Sequence, residues 1–320
     1  MLRLEALAAK PAAFVSLTGL TPQEFLALAD EFEPHYRRHR QAAAATRRGR
    51  APRRRAPGAG RPHAHDLRGR LLLALVWLKV YPTYEVLGLL FGLDKGNARR
   101  NVLDILEALD SFDDFPFDRP DGEPARRPAR SVGEVMAAFP QVRLVIDSKE
   151  QRVQRPGGGH ERQKPFYSGK KRAHTLKTQL AVSPAGLIES VSPSVVGSVN
   201  DVRLLRETAL LGRLAEGEAA LTDKGYEGGD KGERAGVLVR PKKDRKKNPC
   251  TEEDQARNRL IAQHRIVVEH VIAQLNRFTV LRQVWRGKRV HRHSQVVRVV
   301  AVLVNRRTRV KPLKTYGAAA

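Results

Sequence analysis

Three acids stand out in a strongly basic chain: Asp147, Asp223 and Glu269. Asp147 follows the apolar run Val142-Arg143-Leu144-Val145-Ile146. Asp223 follows Ala219-Ala220-Leu221-Thr222 and opens Lys224-Gly225-Tyr226. Glu269 lies inside Arg265-Ile266-Val267-Val268-Glu269-His270-Val271-Ile272. Short apolar runs read as buried strands and the longer spacing around Glu269 as helix. Two carboxylates at strand ends and one on a late helix could converge on divalent metal. Hard cations such as magnesium take oxygen ligands, and a two-metal phosphodiester centre holds its ions about 3.5–4 Å apart. On that helix Arg265, Glu269, Ile272 and Asn276 share a stripe, so Arg265 is placed to pair with Glu269 and orient it. By spacing alone, a carboxylate after a strand is more often just a turn or cap residue.

The surroundings favour a polyanion. The chain has 320 residues, a net charge of +25 and a pI near 10.9. Such an excess points first to nucleic acid, with a basic structural protein as the alternative. A hydrophobic content of 41% supports a real core. Cys250 is the only cysteine, which excludes an intramolecular disulfide and a multi-cysteine zinc site and suits a reducing compartment. The first residues lack the apolar centre of a signal peptide. No apolar run reaches 18 residues, so no membrane partner is expected.

Basic stretches flank the acids. Lys170, Lys171 and Arg172 follow the first strand, with Lys177 soon after, and Lys242 and Lys243 lie between Asp223 and Glu269. Each is a candidate phosphate contact; a solvated charged loop is the competing reading. His291 and His293 have no nearby cysteine or third histidine, and read as basic surface rather than ligands.

The elements that would position these residues follow from pattern. Residues 1–46 form an N-terminal helical segment, with a helix from Leu20 to Glu33 capped at Thr21. Residues 47–64 are an Arg/Pro/Gly linker that cannot bury a core. Residues 65–112 form a helical block, with helices at Leu71–Lys79 and Thr83–Phe91, a turn at Gly92-Leu93-Asp94, and a third helix from Lys95. Helix, glycine turn and basic helix make a helix-turn-helix pattern. It offers Lys95, Asn97, Arg99 and Arg100 for a DNA groove. A linker spans 113–140. An α/β region covers 141–310, with strands at 142–146, 175–182, 187–195, 219–222 and 237–239. Helices are expected at 200–214 and from Thr251 to near Phe278, the latter opened by a capping box. For the valine-rich stretch 294–307, propensity decides neither helix nor strand. A tail covers 311–320.

Several of these pieces together resemble a known family. Asp147-Ser148-Lys149-Glu150, Gln154-Arg155-Pro156, Tyr167-Ser168-Gly169-Lys170-Lys171, His174-Thr175-Leu176-Lys177 and Gly197-Ser198-Val199-Asn200-Asp201 occur in order. Asp223-Lys224-Gly225-Tyr226 and Arg265-Ile266-Val267-Val268-Glu269 follow. The set resembles DDE transposases of bacterial insertion sequences, in the Harbinger-like group; residues 67–109 resemble their N-terminal helix-turn-helix.

The resemblance implies an α/β RNase H-like catalytic domain, a mixed sheet flanked by helices, preceded by a small all-α helix-turn-helix domain. It implies Asp147, Asp223 and Glu269 as ligands of two Mg2+ ions, with Mn2+ as a substitute. It implies cleavage of double-stranded DNA at terminal inverted repeats and transfer of the freed 3′-hydroxyl to target DNA. A homodimer on DNA, in the bacterial cytoplasm and associated with the nucleoid, goes with that activity. Three positions depart from the family's usual residues: Lys149 stands where it has Thr, Asn276 where it has Lys, and Asn200 where it has His. They keep open the alternative of a catalytically weakened, transposase-derived DNA-binding regulator.

Overall fold

The computed structural model describes residues 1–48, 63–112, 115, 139, 141–229 and 237–311. The expected linkers over 47–64 and 113–140 and the tail over 311–320 lie almost wholly outside them. The chain divides into two compact units, Met1–Asp113 with Arg277–Val280, and Asp114–Asn276 with Leu281–Ala320.

The first unit is helical: α1 (Leu4–Ala8), α2 (Pro11–Thr18), α3 (Pro22–Arg48), α4 (Leu67–Val80), α5 (Tyr84–Phe91) and α6 (Lys95–Asp110). Thr21 and Glu24 cap α3 reciprocally, each accepting from the other's backbone N–H. The helix does not stop at Glu33 but runs on through Pro34. Its buried stripe Phe25, Leu28, Ala29, Phe32 and Tyr36 continues at helical spacing across the proline, so packing outweighs the proline penalty. Asp66, Thr83 and Asp94 cap the next three helices. Gly92 ends α5 at φ +66°, a conformation glycine adopts without strain. The N-terminal segment, set apart in the sequence, packs with these helices in one unit.

A buried polar cluster ties three of the helices together. Arg70 of α4, 3% exposed, donates to Asn101 Oδ1 at 2.6 Å, to Tyr36 Oη at 2.9 Å and to Asp104. Tyr36 donates to Asp104 at 2.6 Å and Arg40 to its other oxygen at 2.7 Å. A buried guanidinium is tolerable only when its donors and charge are met in this way.

The second unit is built on a mixed sheet. Its strands are β1 (Val142–Arg152), β2 (Tyr167–Ser168), β3 (Ala173–Val182), β4 (Ile188–Val191), β5 (Val195–Val196), β6 (Ala219–Leu221) and β7 (Val237–Val239). The path is β2-β3-β1-β6-β7, with β4 and β5 also paired to β3. The pairings β1–β3 and β3–β4 are antiparallel; β1–β6 and β6–β7 are parallel. Its longer helices are α7 (Asp201–Thr208), α8 (Glu252–Leu275) and α9 (Val290–Val310).

Three expectations change here, and one question left open is decided. β1 runs to Arg152, because its ladder with β3 continues to Arg152↔Thr175, so Asp147 sits mid-strand rather than at a strand end. The strand expected over 187–195 breaks into β4 and β5, with Pro193 between them. The helix expected over 200–214 stops at Thr208, where Ala209 takes a left-handed φ of 48°. The valine-rich stretch is helical: α9 packs on α8 and β4 and buries Val296, Val297, Val299 and Val300, so tertiary burial overrides β-propensity. The Thr251–Asp254 capping box forms as expected. Among the described residues no helix is long and apolar enough to cross a membrane.

The Arg70 cluster yields a stability test. Asp104→Asn keeps the shape but leaves the guanidinium without its charge partner. The first unit is expected to lose about 2–3 kcal/mol. Urea unfolding followed by Trp77 fluorescence in a Trp285→Phe background reads it; an unmoved midpoint refutes the role.

Candidate active site

Strand pairing brings two of the acids together. β1 and β6 run parallel with Val145 opposite Leu221. Asp147 and Asp223 each lie two residues further on, so the alternation of a strand aims both to one face. β6 ends at Leu221, and the chain turns away as Asp223 caps the short helical turn Lys224–Tyr226, its Oδ1 accepting Gly225 N–H at 2.7 Å. A Cβ at Gly225 would stand 2.9 Å from that oxygen, so any side chain here would push the Asp223 carboxylate aside.

A buried hydroxyl clasps the two acidic segments. Tyr226, three residues after Asp223, is fully buried, and its Oη hydrogen-bonds Ser148 Oγ at 2.9 Å, next to Asp147. Gln179 of β3 donates to the same Oη at 3.2 Å. Burial pushes the Tyr226 hydroxyl's pKa far up, with the charges of Asp201 and Asp147 adding to it; it stays neutral. Sequence reasoning quoted Tyr226 as motif but missed this role, although its fixed place after Asp223 was the available signal.

Asp147 is crowded. Burial raises its carboxyl above the usual range. The Ser148 N–H bond and Arg265 oppose that shift, while Asp223 and Asp201 reinforce it. Arg265 donates to Asp147 Oδ2 at 3.3 Å. This corrects the expected Arg265–Glu269 pair: the guanidinium reaches across from α8 to β1. Glu269, one turn further along α8, is exposed. Among the described residues no three histidine, cysteine or acidic side chains close into a metal-holding group. The geometry therefore joins Asp147 and Asp223 and leaves Glu269 exposed, outside that pair.

Asp201, quoted only within a motif, is a further acid in the site. Lys177 Nζ lies 2.9 Å from Asp201 and 3.7 Å from Glu150, and donates to Val199 O at 2.7 Å. Lys177 is buried, so the phosphate contact expected of it gives way to an internal ion pair. Asn200 caps α7, accepting from Arg203 N–H at 2.7 Å. Gly197 lets the chain cross β3, since a Cβ there would stand 2.0 Å from Thr175 Oγ1.

Beyond Asp147, β1 is stitched to residues 281–285. Lys149 Nζ donates to Leu281 O and Gln151 Nε2 to Gln283 O, both at 2.7 Å; Trp285 N–H donates to Arg152 O at 2.8 Å. Burial, and then the charge of Lys171, push Lys149 down to about 8. His293, expected at a basic surface, is 2% exposed. Because Gln151 donates through its nitrogen, its Oε1 accepts from His293 Nε2 at 2.9 Å, and His293 Nδ1 then accepts from Ser194 Oγ at 2.7 Å. The ring is neutral; burial and the nearby Lys149 push its pKa down to about 3.

The other candidate DNA contacts divide into paired and exposed groups. Lys242 and Lys243 are ion-paired with Asp254 and Glu227, and Lys95 with Glu85. Asn97 accepts from Arg100 at 2.7 Å. Arg99 and Arg100 are exposed in the first turns of α6, as are Lys170, Lys171 and Arg172 on the turn before β3.

Comparison with known proteins agrees with this geometry. The family described as DDE superfamily endonuclease matches residues 146–305, half of the chain. The chain is 29% identical over 220 residues to the probable transposase for insertion sequence element IS702 of Microchaete diplosiphon, covering 68% of this chain and 73% of that protein. No solved structure matches.

Two outcomes are expected. Tyr226→Phe removes the clasp and leaves Ser148 and Gln179 short of a partner, costing about 1–3 kcal/mol; an unchanged urea midpoint for Trp285 fluorescence contradicts the clasp. For His293 the folded pKa lies below the ordinary 6.5, so the unfolded chain takes the proton first as pH falls. Its contribution is complete above about 6.5 and declines towards pH 3. His293→Gln is expected to flatten the fall in midpoint between pH 7 and 4.5; a slope equal to that of the parent protein rules this out.

Proposed function

Because the chain belongs to the DDE superfamily of endonucleases, we propose that it is the transposase of an insertion sequence, cutting DNA at the element's ends and transferring the freed 3′-hydroxyl to target DNA. The observation that carries this reading is the β1–β6 register, which sets Asp147 beside Asp223. The sheet supports an RNase H-like domain: three antiparallel strands continue into two parallel ones in the order of that architecture. The α5-turn-α6 arrangement, with Arg99 and Arg100 exposed at the start of α6, supports a helix-turn-helix that reads the ends.

The donor set fits a hard divalent cation. The Asp223 carboxylate lies close enough to Asp147 to raise the cost of ionising Asp147, with Arg265 as the cation bonded to Asp147. Asp147, Asp223 and Glu269 would hold Mg2+, two ions in our reading with Mn2+ as a substitute. When bound, such a metal would supply Lewis-acid polarisation of the phosphate and of the attacking oxygen. The protein's part is positional: Arg265 fixes Asp147, Gly225 N–H fixes one oxygen of Asp223, and the Tyr226 clasp fixes the spacing of their backbones. We place the protein as a homodimer on double-stranded DNA in the bacterial cytoplasm.

A supercoiled plasmid carrying the gene with its native flanks tests this. In Mg2+ or Mn2+, nicks are expected at the flanks. Asp147→Asn and Asp223→Asn should lower cleavage by at least about a thousandfold, as for lost catalytic groups, with end binding kept. Arg99→Ala with Arg100→Ala should weaken end binding instead. Flank binding by the parent protein with no cleavage in any metal would favour the regulator, a reading for which the exposed Glu269 speaks.

A further inference from the structure

A cavity of about 720 Å³ opens beside Asp147, lined by β1 from Ser148 to Arg152, by the turn before β3, by Ile272 of α8 and Asn276 at that helix's end, and by residues 281–284. Its volume lies within the range of ligand pockets. Five of its lining residues are cations, namely Lys149, Arg152, Lys170, Lys171 and Arg282. Its one acid, Glu150, accepts from Thr175 Oγ1 at 2.9 Å and faces Lys177, so its charge is already answered inside the fold.

Lys149 makes this more than a basic surface. It is 9% exposed, its ammonium donates to Leu281 O, and among the described residues no carboxylate pairs with it. A buried ammonium without a counter-ion is costly, and Lys171 nearby adds repulsion. An entering anion would offset that cost. Because the cavity begins at the residue following Asp147, the anion at hand is the DNA backbone.

We propose that this cavity is a phosphate pocket for the DNA strand adjoining the cleavage centre, with Lys149 as the buried cation that a phosphodiester neutralises. The inference rests on the DNA-cleaving reading above and adds a site to it. Lys149 supplies the charge from the strand, while Asn276 lines the same cavity from the helix without charge.

The test uses the full chain in EDTA, so that binding is read without cleavage. Fluorescence anisotropy with the end duplex and with a single-stranded oligonucleotide is followed against salt. Lys149→Thr is expected to weaken binding about tenfold and to lower the salt slope by about one. Lys149→Thr with Asn276→Lys returns an ammonium to the cavity from the other element. Its affinity should recover to within about threefold of the parent protein, on the same electrostatic argument. A merely structural lysine would not be rescued in this way. Should Lys149→Thr fail to fold, the exposed Lys170→Gln with Lys171→Gln pair carries the same prediction. Unchanged affinity and slope in a folded variant, or loss without rescue, overturns the proposal. So does protection of the site by inorganic phosphate or a deoxynucleoside monophosphate that DNA does not compete away, since the pocket would then serve a free phosphate. Cleavage that fails while Lys149-dependent binding persists refutes the nuclease reading and leaves the pocket standing.

Discussion

Everything about the site depends on the parallel pairing of β1 with β6. The two strands come from segments far apart in the chain. Their pairing partners, Val145 and Leu221, are fully buried. A one-residue slip would turn every side chain of a strand to the other face, so the core fixes the register, and the register fixes which acids meet. Leu144, Ile146, Ala220 and Tyr226 fill one side with Leu205 and Leu211. The acids thus inherit their geometry from apolar packing, and the Tyr226 hydroxyl adds the polar restraint that keeps β1 and the turn after Asp223 at one spacing.

Much of this was legible in the chain. The apolar runs marked the strands, the capping residues Thr21 and Thr251 marked helix starts, and Asp147 and Asp223 were recognisable as neighbours-to-be. What was not legible was set by tertiary partners. β1 outlasts its apolar run because β3 offers hydrogen bonds as far as Thr175. α9 is a helix because it packs against α8 and β4, a fact absent from its valines. Arg265 meets Asp147 rather than Glu269 because the packing of α8 on β1 decides reach, whereas the sequence shows only the spacing within one helix. His293 lies in a run of basic residues, and only the fold reveals that it faces Gln151.

The excess positive charge is not uniform in kind. Lys177, Lys242 and Lys243 are held in ion pairs, where they fix loops and strand edges. Arg99, Lys170, Lys171 and Arg172 stand in solvent, where salt screens them and entropy favours their freedom. Lys149 belongs to neither group. Net charge therefore describes long-range attraction to a polyanion, whereas local geometry separates cations that build the protein from those left to meet a partner.

The stitching of β1 to residues 281–285 has a consequence for motion. Past Asp147 the strand is bonded to β3 on one side and anchored by Lys149, Gln151 and Arg152 on the other. Backbone amides so enclosed exchange with solvent only through large-scale opening. The acid at the centre of the site therefore rides on one of the slowest-exchanging stretches of its unit, while Glu269 and the turn bearing Lys170 and Lys171 are open to water. The carboxylate of Asp147 is therefore held on a rigid floor, whatever moves among the exposed residues around it.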